Sequence, residues 1–129
     1  MEAADKSLLR TLNTKAAGTV AIFDKGDYYA CYGDDAVLLA TEVFMSDVCL
    51  KTVTIKGKHQ ESFARVVFVN ELLLFSRFVL GSEVLQYLTM NYGQYQRTVR
   101  ELLMFMRYRI ELYGLESDQW TIKAKVRLS

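Results

Sequence analysis

Proline is missing altogether from the 129 residues, cysteine occurs twice and histidine once. The absence of proline predicts a run of regular elements without a proline-rich linker. Cys31 and Cys49 are too few for a disulfide scaffold. Together with His59, the lone histidine, they cannot supply the roughly four closely spaced ligands of a structural zinc site. A cysteine–histidine nucleophile is disfavoured as well, because Cys31 sits in an apolar run and His59 in a Lys56-Gly57-Lys58-His59 loop. Long uncharged apolar runs are also lacking. The longest, Val66 to Leu80, is 15 residues and is interrupted by Asn70, Glu71, Ser76 and Arg77, whereas a membrane span needs about 20. The N-terminus is acidic where a secretory signal needs a basic start and an apolar stretch. These absences predict an intracellular protein with reduced thiols and no membrane contact. A strongly basic field is missing too: 16 Lys and Arg face 15 Asp and Glu, a net charge of +1. Any contact with nucleic acid must therefore come from a local patch or with help.

What is present is ordinary globular material, 51% hydrophobic and 12% aromatic, enough for one core in a single domain. Ser7 to Leu12 reads as a short helix within a weakly patterned extension, residues 1–18. Thr19-Val-Ala-Ile-Phe23 is apolar at every position after Thr19, as a central strand would be. Asp24-Lys25-Gly26-Asp27 is turn chemistry, and Tyr28 to Tyr32 is an aromatic returning strand. Either Asp34 or Asp35 can cap the helix that follows, whose apolar face is Ala36, Leu39, Ala40, Val43 and Phe44. Cys49 to Ile55 is strand-like. Residues 61–84 carry no decisive period. Leu85 to Met90 reads as a strand, and Asn91 as the N-cap of a helix through Met106. Its apolar stripe is Tyr95, Val99, Leu102, Leu103 and Met106, with Gln96, Arg97, Arg100 and Glu101 turned to water. Tyr108 to Tyr113 alternates as a strand, Gly114 to Gln119 forms a turn, and Trp120 to Leu128 alternates again. The fold class is therefore α/β: a two-layer domain with a mixed sheet and flanking helices. Glu71 to Phe78 echoes Glu101 to Tyr108 at five of eight positions, but the flanks do not continue the match and no repeat architecture follows.

Few constellations carry chemistry. No glycine-rich phosphate loop is present. Asp34-Asp35 resembles half of a metal-dependent nuclease site, but the additional carboxylate and lysine that such a site needs are not at hand. Lys123, Lys125 and Arg127 form a cationic row on one strand face, suited to phosphates or to guarding a sheet edge against aggregation. Tyr28, Tyr29 and Tyr32 beside Lys25 are positioned to stack on, or wedge against, bases.

The segment Thr19 to Phe44, with Phe23-Asp24-Lys25, Gly26-Asp27-Tyr28-Tyr29 and Gly33-Asp34-Asp35-Ala36, resembles the N-terminal domain of the MutS mismatch-repair family. Within it, the similarity is greatest to the eukaryotic homologue shared by the recognition heterodimers. A second block agrees in order: Thr98 to Leu103, Tyr108 to Tyr113, and Trp120. The resemblance implies a MutS domain I over 19–129, with an insertion within 58–84. It implies mismatch repair in the nucleus, on double-stranded DNA with mismatches or small loops, beside a second MutS homologue. In the mismatch-reading members a Phe-x-Glu motif follows Gly-Asp; the matching positions here are Tyr28, Tyr29 and Ala30. The glutamate is missing, which implies a subunit that supports DNA through its backbone and does not read the mispair. Lys25, Tyr28 and Tyr29 are the implied DNA-binding residues. ATP and magnesium belong to the family's ATPase domain, so no cofactor and no enzyme activity are expected of this chain. Two rivals stand beside this reading: an interaction domain presenting Phe68, Leu72, Phe75 and Phe78, and a small nuclease using Asp34 and Asp35.

Overall fold

A computed structural model describes residues 3–55 and 83–128. The expected insertion within 58–84, His59, the first copy of the echo and the Phe68–Phe78 apolar set lie outside those residues, apart from Glu83 and Val84.

Helix α1 (Ala3–Thr14) leads into β1 (Thr19–Asp24) and β2 (Tyr29–Tyr32). Helix α2 (Asp34–Leu38) continues as a π-helical turn (Leu39–Val43). Then come β3 (Lys51–Ile55), β4 (Glu83–Met90), α3 (Tyr92–Met104), β5 (Arg109–Glu116) and β6 (Gln119–Val126). The six strands form one sheet in the order β3-β4-β2-β1-β5-β6. It is mixed, because β1 runs parallel to β5 while the other pairs are antiparallel. Strands β3 and β4 pair from Lys51↔Tyr87 to Ile55↔Glu83, so the chain leaves β3 beside the point where it enters β4. Among the described residues no helix is long and apolar enough to cross a membrane.

The all-apolar run in β1 has the expected cause: it lies inside the sheet and is covered on both faces. Val20 and Ile22 join Cys31, Leu88, Met90 and Ile110 beneath α2, the π turn and α3. Ala21 and Phe23 join Ala30, Tyr32, Leu85, Tyr113 and Trp120 on the other face, where Leu8 of α1 closes the cluster. Helix α1 is longer than its sequence pattern predicted. It buries only Ser7 and Leu8, too few for a visible period. Ser7 Oγ nonetheless accepts the Trp120 N–H at 2.8 Å in a buried bond across the chain.

Strand β2 runs beside β1 only as far as Phe23↔Ala30. It turns away at Gly33, whose φ of 64° and ψ of −133° suit glycine alone and whose N–H donates to Gln86 O at 2.7 Å. The departure leaves the Ala21 N–H without a strand partner, and Asp35 supplies one: its Oδ2 accepts that N–H at 3.0 Å. Lys15 Nζ lies 3.4 Å from Asp35 Oδ1 and donates to Thr19 O at 2.8 Å. The expectation that Asp34 or Asp35 caps α2 is thus corrected. Gly33 is the N-cap with no side-chain bond, because the Asp35 carboxylate is committed to the sheet.

Three further expectations change. The helix from Ala36 is not uniform: it unwinds into the π turn, where the Phe44 N–H reaches Leu39 O, while Leu39, Ala40 and Val43 still point inward. In α3, Asn91 caps as expected, in a reciprocal box with Gln94 at 2.8 Å each way. Its most buried residues are Leu102 and Thr98; Thr98 hides because its hydroxyl donates to Met90 Sδ at 3.3 Å. Arg97 does not simply face water. It donates to Val43 O at 3.0 Å and lies over the Phe44 ring. The last hairpin turns at Ser117 and Asp118, both at positive φ, a two-residue turn of the kind that matches strand twist. Gly114 therefore lies inside β5, not in the turn.

Asp35 is buried, and loss of solvation raises its pKa against the pull of the Ala21 N–H and Lys15. A folded carboxyl with a raised pKa binds more protons than the unfolded one, so its burial penalty shrinks as the pH falls from that raised value toward 3.8. Asp35→Asn keeps an acceptor for Ala21 and is expected to cost under about 1 kcal/mol while flattening this slope; Asp35→Ala orphans the N–H and is expected to cost about 1–3 kcal/mol. Urea unfolding at several pH values checks both.

Candidate nucleic-acid interface

The β1–β2 connection is a tight hairpin. Asp24 Oδ1 accepts the Gly26 N–H, and the Lys25 N–H donates to Tyr28 O, each at 2.9 Å. Strand alternation then decides where each side chain goes. Tyr29 falls on the face covered by α2 and α3 and lies flat against Tyr95, with ring centroids 4.0 Å apart and planes 9° apart. Tyr92 stands 6.0 Å from Tyr95 and 6.4 Å from Tyr29 and is 60% exposed. Lys25 goes the other way. Its ammonium lies 4.9 Å from the Trp120 ring centroid and 5.4 Å from that of Tyr32, over an aromatic cluster in which Phe23 meets Tyr32, Tyr113 and Trp120 at 5.1–5.4 Å. Tyr28 stays at the tip, 42% exposed.

Lys25, Tyr28 and Tyr29 are therefore neighbours in sequence that do not share one surface. Tyr28 marks the tip, Lys25 folds down on the α1 side and Tyr29 on the α3 side. Tyr92, which carries no role in the sequence pattern, builds the same region together with Tyr95 of the α3 stripe and Lys123 of the cationic row. The i, i+3 spacing of the two tyrosines just after the Asn91 cap was the available signal.

Lys123 reaches the tip through an irregularity. The β5–β6 register shifts between Leu112↔Ala124 and Tyr113↔Ile122, so Lys123 is bulged out of the pairing. Its stem crosses Gly114, where a Cβ would run into Lys123 Cδ and Cγ, and its ammonium meets Asp24 Oδ2 at 2.8 Å. The bulge corrects the expected row of Lys123, Lys125 and Arg127. Once alternation breaks, Lys125 lies opposite Glu111 and Lys123 is bound to Asp24. That bond, and then the Gly26 N–H, hold the Asp24 carboxyl below its ordinary value. The same carboxylate raises Lys123. Burial raises the Tyr29 and Tyr95 phenols.

Among the described residues no three His, Cys, Asp or Glu converge on a metal position. The Asp35 carboxylate is engaged by Ala21 and Lys15. Burial pushes the Cys31 thiol well up, away from the thiolate that a nucleophile needs.

A family model described as MutS domain I matches residues 9–73. This chain belongs to the MutS domain I family. It is also 32% identical over 113 residues to "DNA mismatch repair protein spellchecker 1" of Drosophila melanogaster, a stretch that is 87% of this chain and 10% of that relative. The chain thus spans about a tenth of the relative's length. In this MutS domain I the matched span begins inside α1 and contains β1, the tip, β2 and α2.

The pKa of Asp24 is a direct readout of the tip's anchoring. Below its lowered value the carboxyl is neutral and the Lys123 bond is lost; above 3.8 it is charged in both folded and unfolded chains, and its stabilisation is complete. Lys123→Met keeps the stem over Gly114 and is expected to move the Asp24 pKa up toward 3.8, measured by carboxyl NMR titration.

Proposed function

We propose that the chain acts in DNA mismatch repair as a duplex-supporting domain, touching the backbone through its β1–β2 tip and leaving the mispair to another subunit. The observation that carries this is the contrast between Tyr28 and Ala30. Tyr28 projects from the tip at 42% exposure, while Ala30, where the mismatch-reading pattern has glutamate, is 1% exposed inside the aromatic cluster. A carboxylate at position 30 would have to be desolvated among Phe23, Tyr32 and Trp120, so this position offers no base contact. Membership of the MutS domain I family and similarity to a protein named for DNA mismatch repair support the same reading.

Tyr28 is the leading contact in this scheme. Tyr29 acts from beneath by stiffening the tip through its stack on Tyr95. Lys25, held over Trp120 by a cation–π contact, is a cation that can swing to a phosphate, since such contacts are worth only about 0.5–2 kcal/mol. The reading extends to a nuclear protein working beside a second MutS homologue, on duplexes with mismatches or small loops. Neither a cofactor nor catalysis is assigned to this chain, and ATP and magnesium would act in the family's ATPase domain.

Binding should be weak and fall linearly in log K against log salt, with a slope near −0.9 for each phosphate contacted. Fluorescence anisotropy with matched, mismatched and looped duplexes is expected to give equal affinities, lowered several-fold by Tyr28→Ala. A preference for the mismatch that Tyr28→Ala abolishes would contradict the supporting role.

A further inference from the structure

The far end of the sheet from the tip carries a second feature. A groove of about 430 Å³ lies between the α1–β1 connection and the ends of β5 and β6, lined by Thr19, Arg109, Glu111, Lys125 and Arg127 among others. Three of the eight lining residues are cations. Glu111, the one carboxylate, lies opposite Lys125 in the register and accepts the Tyr113 hydroxyl at 2.7 Å. Arg109 and Arg127 flank the last register pair, Ile110↔Val126, and both line the groove. Gathering like charges in one place is destabilising, and protecting an edge requires only charges along it. Clustering Arg109, Lys125 and Arg127 in a concavity breaks the local rule, as sequences do where a ligand compensates. Arg109 is held in place, since its Nη2 donates to Ala17 O at 3.0 Å.

The strand beside this groove has an open edge. β6 is last in the sheet order, with no strand on its outer side among the described residues. Below Trp120, β6 and the two residues after it expose Ile122, Val126 and Leu128 along with the cations.

We propose that the β6 edge and the basic groove form a docking site for an extended acidic segment of a partner protein, added as a seventh strand. Main-chain bonds to the open edge would supply affinity, and side-chain pairing would supply selectivity. On the groove face, acidic side chains lie beside Lys125 and Arg127, and an apolar one beside Ile122; on the other face, apolar side chains meet Val126 and Leu128. A DNA duplex fits less well. The strand β1, six residues long, separates the groove from the tip by about 20 Å at about 3.3 Å per residue. The exposed aliphatic side chains offer a phosphate backbone nothing. The site is independent of the function proposed for the tip.

The test uses the 129-residue chain with three probes: a synthetic peptide alternating glutamate and valine, its lysine–valine counterpart, and a matched DNA duplex. Amide NMR shifts are expected to follow the glutamate peptide along 119–128 and to leave the tip unmoved. Binding is expected to weaken about tenfold in Lys125→Glu/Arg127→Glu, and that variant should take the lysine peptide instead. Equal binding of both peptides by the parent chain, shifts that miss β6, or duplex DNA moving the same amides would each overturn the proposal. So would self-association through β6 in place of peptide binding. Tyr28→Ala serves as the control that separates this site from the tip: it should leave peptide binding unchanged.

Discussion

The hydrogen bond from the Ala21 N–H to the Asp35 carboxylate is the constraint around which the domain is arranged. A central strand must satisfy its backbone on both edges, yet β2 abandons β1 after a short pairing. Asp35 takes over where β2 leaves. In doing so it ties the start of α2 to the middle of β1, and Lys15 ties the end of α1 to the same point. Three elements thus converge on one buried carboxylate. The charge is tolerable because an N–H and an ammonium face it, and because Gly33 adopts the backbone conformation that swings the helix into place. The two core clusters, one on each face of β1, are built outward from that junction.

The tip inherits its shape from the same strand. Because β1 and β2 are consecutive and tightly turned, alternation sends neighbouring side chains to opposite faces. One face receives Tyr29 and its partners on α3. The other receives Lys25 and the Phe23, Tyr32, Tyr113 and Trp120 cluster. The bulge at Lys123 adds a strut from the far strand, so Asp24 is held from both sides of the turn. A rigid base with one ring left outward is what a supporting contact needs, since ordering a mobile loop on binding would subtract from affinity.

Much of this was legible because the signals were local. β1 shows its burial on both faces as an unbroken apolar run. Asn91 announces α3, and Gly26 and Asp27 announce the hairpin. The MutS resemblance rests on the same segments. What escaped depended on distant partners. Helix α1 buries two residues, so no period betrays it. Thr98 reads as polar until Met90 is placed beside it, and Arg97 reads as solvated until Val43 offers a carbonyl. Lys123, Lys125 and Arg127 looked like one row because alternation was assumed to be unbroken. A bulge depends on the pairing of two strands and leaves no mark in the sequence of one. Lys25, Tyr28 and Tyr29 are close in sequence, yet strand alternation sends their side chains to different sides of the tip.

The pairing of Ile55 with Glu83 has a consequence for how such domains change over time. The intervening chain begins and ends at one place, across a single ladder rung at the edge of the sheet. The two ends of that connection are therefore fixed by the ladder and not by its length. Doubling such a connection costs only about 0.6 kcal/mol in closure entropy, and the rung holds its two ends together whatever its length. A change of length between these two ends therefore carries a small entropic cost, which suits this rung to length variation among proteins that keep the same sheet.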